Sequence, residues 1–379
     1  MSKYTIYGND AFDRKIDALL KIIAGRVIDT VGRKYLASLV LGGGYGRGEG
    51  GVLLKSNGEM SLYNDFDFFV ITSDISRLQQ RRINLALRNL SPELSVTAGI
   101  DVDFSPAKNM SELQSSEFTM MWQELKHGHV IVYGPENILD QLPAFDLNYM
   151  PHEELAKLML NRGTGLLLAR QRMGKSQLDG EDVDFIARNI WKAVMACGDS
   201  YLAVNHTYSY SYKRRSELFD TYKDIQEISD FYPWYKASIE FKLKPVMPDK
   251  EELSAMWNEA REFFVRFYLY VFNVCLGAQE MNLSQIQRAF YLHSPFAKNE
   301  TPQQMLKNFI INMLEVGPAK FNMDLFFKYP RTRLFIVLPA ILFDNEAIRD
   351  YILLLPGISI SSSGDEILKS YLKLWNRFN

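Results

Sequence analysis

The chain has 379 residues, 47% hydrophobic and 23% charged, with a formal net charge of −2. This length exceeds that of a usual single domain, and the composition excludes a disordered or fibrous chain. Two cysteines, Cys197 and Cys275, exclude a disulfide scaffold and a cysteine zinc site, and neither the first 150 residues nor the remainder is basic enough for a general nucleic-acid clamp.

The opening MSKYTIYGND lacks the apolar run of a signal peptide. Asn9–Thr30 then carries Phe12, Ile16, Leu19, Leu20 and Ile23 three and four apart, the spacing of an amphipathic helix. Tyr35–Leu41 is a short apolar strand that runs into Gly42-Gly43-Gly44. Val52–Leu62 reads as a hairpin around Asn57-Gly58. Phe66–Ile71 is strand-like, Ile75–Leu90 helical, Leu94–Phe104 strand-like again, Ser111–Lys126 helical and Val130–Tyr133 a last short strand. Beyond residue 150 helices are expected: one opened by Pro151, then Glu181–Val204, Tyr212–Ile228, Lys250–Leu276, Thr301–Leu314 and Asp365–Phe378. The three prolines of Phe231–Pro248 suggest a subdivision there. The most apolar windows, Glu262–Leu276 and Leu334–Phe343, contain Arg266 and Pro339 and fall short of the ~20 residues that span a bilayer. The expected fold class is α+β, with a mixed sheet and flanking helices over 1–150 and a mostly α-helical domain over 151–379. A cytoplasmic setting with no membrane partner is expected.

Three motifs carry chemistry. The run Gly42-Gly43-Gly44-Tyr45-Gly46-Arg47-Gly48-Glu49 follows a strand, where glycines let backbone N–H groups approach an anion closely. A helix beginning near Tyr45 would add its positive end, and Arg47 a guanidinium fork, for the same phosphate oxygens. Glu49 has two structural readings, an ion pair with Arg47 or a helix cap. The second motif is Asp65-Phe66-Asp67, whose carboxylates point to one face of a strand. Two converging carboxylates call for a cation, and Mg²⁺ suits hard oxygen ligands that leave room for water and phosphate. Asp101-Val102-Asp103 repeats the geometry on another strand and offers a third carboxylate for a two-metal site.

This order of glycine turn, Asp-x-Asp strand and later carboxylate resembles the DNA polymerase β superfamily of nucleotidyltransferases. The wording Gly43-Gly44-Tyr45-Gly46-Arg47-Gly48-Glu49 is most similar to the branch of protein uridylyl- and adenylyltransferases acting on PII signalling proteins. The resemblance implies attack of an acceptor hydroxyl on the α-phosphate of an NTP, with transfer of AMP or UMP to a protein or small molecule and release of pyrophosphate. It implies that Asp65 and Asp67 hold two Mg²⁺ ions, with Mn²⁺ as substitute, and that Gly43 and Gly44 contact phosphates. Asp101 is preferred to Asp103 as third ligand. A helical domain closing over the nucleotide is a superfamily habit, and Lys192 and Lys213 would neutralise the triphosphate while a tyrosine of Tyr208–Tyr212 stacks on the base. Twenty residues separate Gly44 from Asp65, about twice the family's usual gap. Alternatives are a synthase of cyclic or oligonucleotide messengers and a catalytically silent nucleotide-binding module. Nucleic acid as acceptor is disfavoured by the charge balance.

Overall fold

The computed structural model describes residues 2–293, 295–296, 301–315 and 324–378. It is α+β, with a small mixed sheet of five strands and a helical C-terminal part. Two compact units are present: Met1–Tyr149 with His206–Val246, and Met150–Asn205 with Met247–Asn379.

In the first unit, α1 (Asp10–Val31) starts at Asn9, whose side chain accepts from the Phe12 N–H, and buries Phe12, Ile16, Leu20, Ile23, Val27 and Val31 along one stripe. Strand β1 (Leu36–Leu41) leads into the glycine turn α2 (Gly43–Gly46). The hairpin of β2 (Val52–Leu54) and β3 (Met60–Leu62) is as expected, with Gly58 at φ 80° in its turn. There follow β4 (Phe66–Thr72), α3 (Arg77–Ala98), β5 (Val102–Phe104), β6 (Lys108–Asn109), α4 (Met110–Gln114), α5 (Met120–His127) and β7 (Val130–Tyr133). Leu94–Ala98 is therefore the end of a helix and not part of a strand. Ile83, Leu87, Leu90 and Leu94 continue one buried helical stripe across Pro92, and left-handed Gly99 ends it. The single helix expected over Ser111–Lys126 is two.

The main sheet runs β5-β4-β1-β7, with β6 also on β4. Strand β4 is antiparallel to β1 and parallel to β5. Alternation gives the sheet two faces. Leu39, Leu41, Phe66, Phe68, Val70 and Val102 pack with α1 and α3, whereas Val40, Phe69 and Ile71 pack with Trp122, Leu125, Ile138 and Leu139. Asp67 shares the parity of Phe69 and Ile71, so it belongs to the second face.

The chain continues through α6 (His152–Met173) and α7 (Gly180–Val204) of the second unit, then α8 (Tyr212–Phe219) and α9 (Tyr232–Leu243) of the first. Residues 206–246 thus belong with the N-terminal unit, not with a helical domain beginning at 151. The Phe231–Pro248 stretch holds α9: Pro233 sits in the first turn, where a missing N–H costs nothing. The helix expected over Tyr212–Ile228 ends as an α-helix at Phe219. The second unit continues with α10 (Leu253–Cys275), α11 (Leu283–His293), α12 (Pro302–Glu315), α13 (Asp324–Phe327), α14 (Arg331–Leu342) and α15 (Gly364–Phe378). Helix α7 is buried along most of its length, with α6 and α10 as its main neighbours. Thr164 on α6 bonds Tyr371 on α15 at 2.8 Å, and Trp257 on α10 donates to the Leu166 carbonyl at 2.8 Å. Among the described residues no helix is long and apolar enough to cross a membrane.

Candidate active site

The glycine turn and the Asp-x-Asp strand meet because β1 ends where its antiparallel neighbour β4 begins. Leu41 lies opposite Phe68, and the Gly42 N–H donates to the Asp67 carbonyl at 2.8 Å. The twenty intervening residues are absorbed by the β2–β3 hairpin. Gly43 stands at φ 60°, and a Cβ there would come within 2.1 Å of the Asp67 Oδ2. Glycine is required twice over, by backbone conformation and by the carboxylate lying against it. Gly44 is tight for another reason: its Cβ would meet the Glu49 carbonyl at 3.0 Å.

Asp67 pairs in register with Asp103 across parallel β4 and β5. Neighbouring parallel strands lie about 4.8 Å apart, so carboxylates in register on one face repel. Burial, followed by the charge of Asp65, pushes the Asp67 carboxyl up to about 6; the Lys242 ammonium pulls it back and Asp103 adds to the rise. Asp103 is itself raised by burial, Asp65 and Asp101. Register and field therefore put Asp103, rather than the preferred Asp101, with Asp65 and Asp67. Asp101 lies one step before β5, outside the register pair; it is exposed, as Asp103 also is, and its carbonyl accepts from the Phe66 N–H at 2.9 Å.

Among the described residues no group of three or more His, Cys, Asp or Glu side chains is arranged to hold a metal ion. The residues do not fit an all-protein cage. They fit a cation held by one or two carboxylates and completed by water and phosphate, since positive charge would offset both the burial of the Asp67 carboxylate and its repulsion by Asp65.

No family model, curated protein or solved structure matches this chain.

Two residues expected at the nucleotide have other work. Tyr45 is fully buried; its hydroxyl donates to the Gly51 carbonyl at 2.7 Å, accepts from the Tyr63 N–H at 3.1 Å, and its ring packs edge-on to Phe66. Arg47, with its side chain 4% exposed, pairs with Glu124 at 3.0 Å and Glu49 at 3.8 Å and lies over the Tyr212 ring. Its guanidinium is buried among these groups, with Nε making no hydrogen bond, and is not an exposed phosphate fork. Of the two lysines, Lys213 is exposed and lends its backbone N–H to Glu49 at 3.0 Å, while Lys192 belongs to α7 in the second unit. Tyr208 and Tyr212 take up Arg215, whose guanidinium lies over both rings.

The sequence does not single out Lys242, yet of the two cations whose charge acts on Asp67, Lys242 and Arg47, it has the larger effect. It sits on the last turn of α9; its carbonyl accepts from the Asn64 Nδ2 at 3.1 Å, one residue before Asp65, and its ammonium lies 6.0 Å from the Tyr212 ring. Nothing local marks it, because α9 begins in a proline-rich stretch that reads as a break.

Proposed function

We propose that the chain is a metal-dependent nucleotidyltransferase of polymerase β type, transferring AMP or UMP from an NTP to a hydroxyl of a protein or small molecule. The observation that carries this reading is the in-register pair of Asp67 and Asp103, within reach of the Asp65 charge, beside a glycine turn packed against the Asp67 carboxylate. Asp65 and Asp67 would hold Mg²⁺, with Mn²⁺ able to replace it. When bound, such an ion supplies neutralisation of triphosphate charge and acidification of the acceptor hydroxyl.

The chain's own residues account for the rest. Asp103 would take the acceptor proton: burial first, then the charges of Asp65 and Asp101, raise its affinity for protons. Gly43 leaves the space beside Asp67 free of side chain, and Lys242 supplies positive charge that acts on Asp67. Bond formation is then between the acceptor oxygen and the α-phosphorus, and pyrophosphate leaves.

The test is pyrophosphate release from mixed NTPs with Mg²⁺ and a cell lysate as acceptor source. Asp65→Ala with Asp67→Ala should abolish it without lowering the unfolding temperature. Release at the wild-type rate by that double variant refutes the reading.

A further inference from the structure

Glu49 is 5% exposed, and its carboxylate gathers donors from a distant part of the chain. It accepts from the Ser211 Oγ at 2.6 Å, the Tyr212 N–H at 2.9 Å and the Lys213 N–H at 3.0 Å, all at the first turn of α8. Helix N-termini leave such N–H groups without intrahelical partners, and a carboxylate satisfies them while meeting the positive end of the dipole. The capping reading is therefore correct, but the helix capped is some 160 positions further on. The other end of Glu49 is equally fixed, since its own N–H donates to the Gly44 carbonyl at 2.8 Å. One side chain thus joins the glycine turn to α8.

From α8 the connection continues through packed rings. Phe219 at the end of α8 lies 4.3 Å from Tyr235 of α9, centroid to centroid, and Phe231 closes on both. Helix α9 then runs to Lys242, whose backbone is tied to Asn64. Glu49 and Lys242 therefore hold the two ends of one helical hairpin against the turn and the strand that form the carboxylate site.

We propose that Glu49 is a positioning residue, which seats the α8–α9 hairpin so that the Lys242 ammonium faces the carboxylate cluster and binds the triphosphate of the incoming nucleotide. This rests on the nucleotidyl-transfer reading. Glu49 touches no substrate; it acts through Lys242. Gln in its place keeps the shape but loses the charge that three donors share, and charge-assisted bonds are the stronger kind.

The experiment is calorimetric binding of a non-hydrolysable ATP or UTP analogue, and of inorganic triphosphate, in the presence of Mg²⁺. Lys242→Met and Glu49→Gln should each weaken binding about tenfold or more, and the double variant no further, because both remove the same contact. Ser211→Ala, which deletes only one of the three donors, is the milder companion and should weaken binding several-fold in a folded protein. If Glu49→Gln or Ser211→Ala costs the same factor with and without Lys242, the role is support of the fold alone and the inference is overturned. Wild-type affinity in Lys242→Met overturns it also, while leaving the nucleotidyl-transfer reading standing. A wild-type protein that binds neither analogue nor triphosphate overturns both.

Discussion

Replacing Asp67 with Asn should make the protein more stable at neutral pH. The Asp67 carboxyl rises from 3.8 to about 6 in the folded chain, through burial and the charge of Asp65. Folding therefore takes up a proton between about pH 4 and 6, and the stability associated with the neutral acid is lost as pH rises through that window. A rise of about two units at 1.36 kcal/mol each opposes folding by about 3 kcal/mol at pH 7.5. Asn keeps the shape without the charge. In a unit of this size that gain corresponds to an increase of roughly 6–12 °C in unfolding temperature. At pH 4, where Asp67 is protonated in the folded state and already about two-fifths protonated in the unfolded one, the advantage should shrink to under about 1 kcal/mol. The assay is thermal unfolding followed by circular dichroism in EDTA-containing buffers from pH 4 to 7.5. Adding Mg²⁺ should then raise the wild-type midpoint and leave that of the Asn variant nearly unmoved. An Asn variant no more stable than wild type at pH 7.5, or an advantage independent of pH, would refute the electrostatic argument.

Gly43→Ala forces a Cβ onto the Asp67 carboxylate in a left-handed backbone, and urea unfolding should show a loss of about 1–3 kcal/mol or more together with loss of transfer activity. Tyr45→Phe removes two hydrogen bonds from the core and should cost about 1–3 kcal/mol by the same assay while leaving the affinity for a nucleotide analogue unchanged. Asp103→Ala should lower the rate of pyrophosphate release on the order of 10²-fold or more, and Asp101→Ala far less, since only Asp103 is in register with Asp67. Equal losses in the two variants would refute the register argument, and a larger loss in Asp101→Ala would return the choice to Asp101.

What could be read from the sequence follows from local periodicity. Helix α1, the strand ends at Leu41 and Phe66, the hairpin at Asn57-Gly58 and strand Val130–Tyr133 all carry a pattern within a few residues. The Asp65/Asp67 pair was legible because period two is a property of any strand. Which of Asp101 and Asp103 joins them depends on the register of β5 against β4, which no local pattern contains. Arg47 and Tyr45 look available beside a glycine turn, and only Glu124, brought in from another segment, and the folding of the turn that sets Gly51 against the Tyr45 hydroxyl show them engaged. The prolines of Phe231–Pro248 read as a break, but Pro233 occupies a helix start. The end of α3 reads as strand, but its apolar stripe runs on through Pro92 to Leu94.

The discontinuity of the first unit has a consequence for the order of synthesis. When Tyr149 leaves the ribosome, Glu49 has no helix to cap and Asp67 lacks the stronger of its two cations, Lys242, leaving Arg47 alone, because Ser211 and Lys242 have not yet been made. At 5–20 residues per second the missing hairpin arrives roughly 5–20 s later, after the whole of α6 and α7. Until then the nascent chain carries buried-type charges in solvent, and a proteolytic fragment ending near residue 149 would remain in that unfinished condition. The carboxylate site thus becomes complete only in a chain that has been translated past Val246.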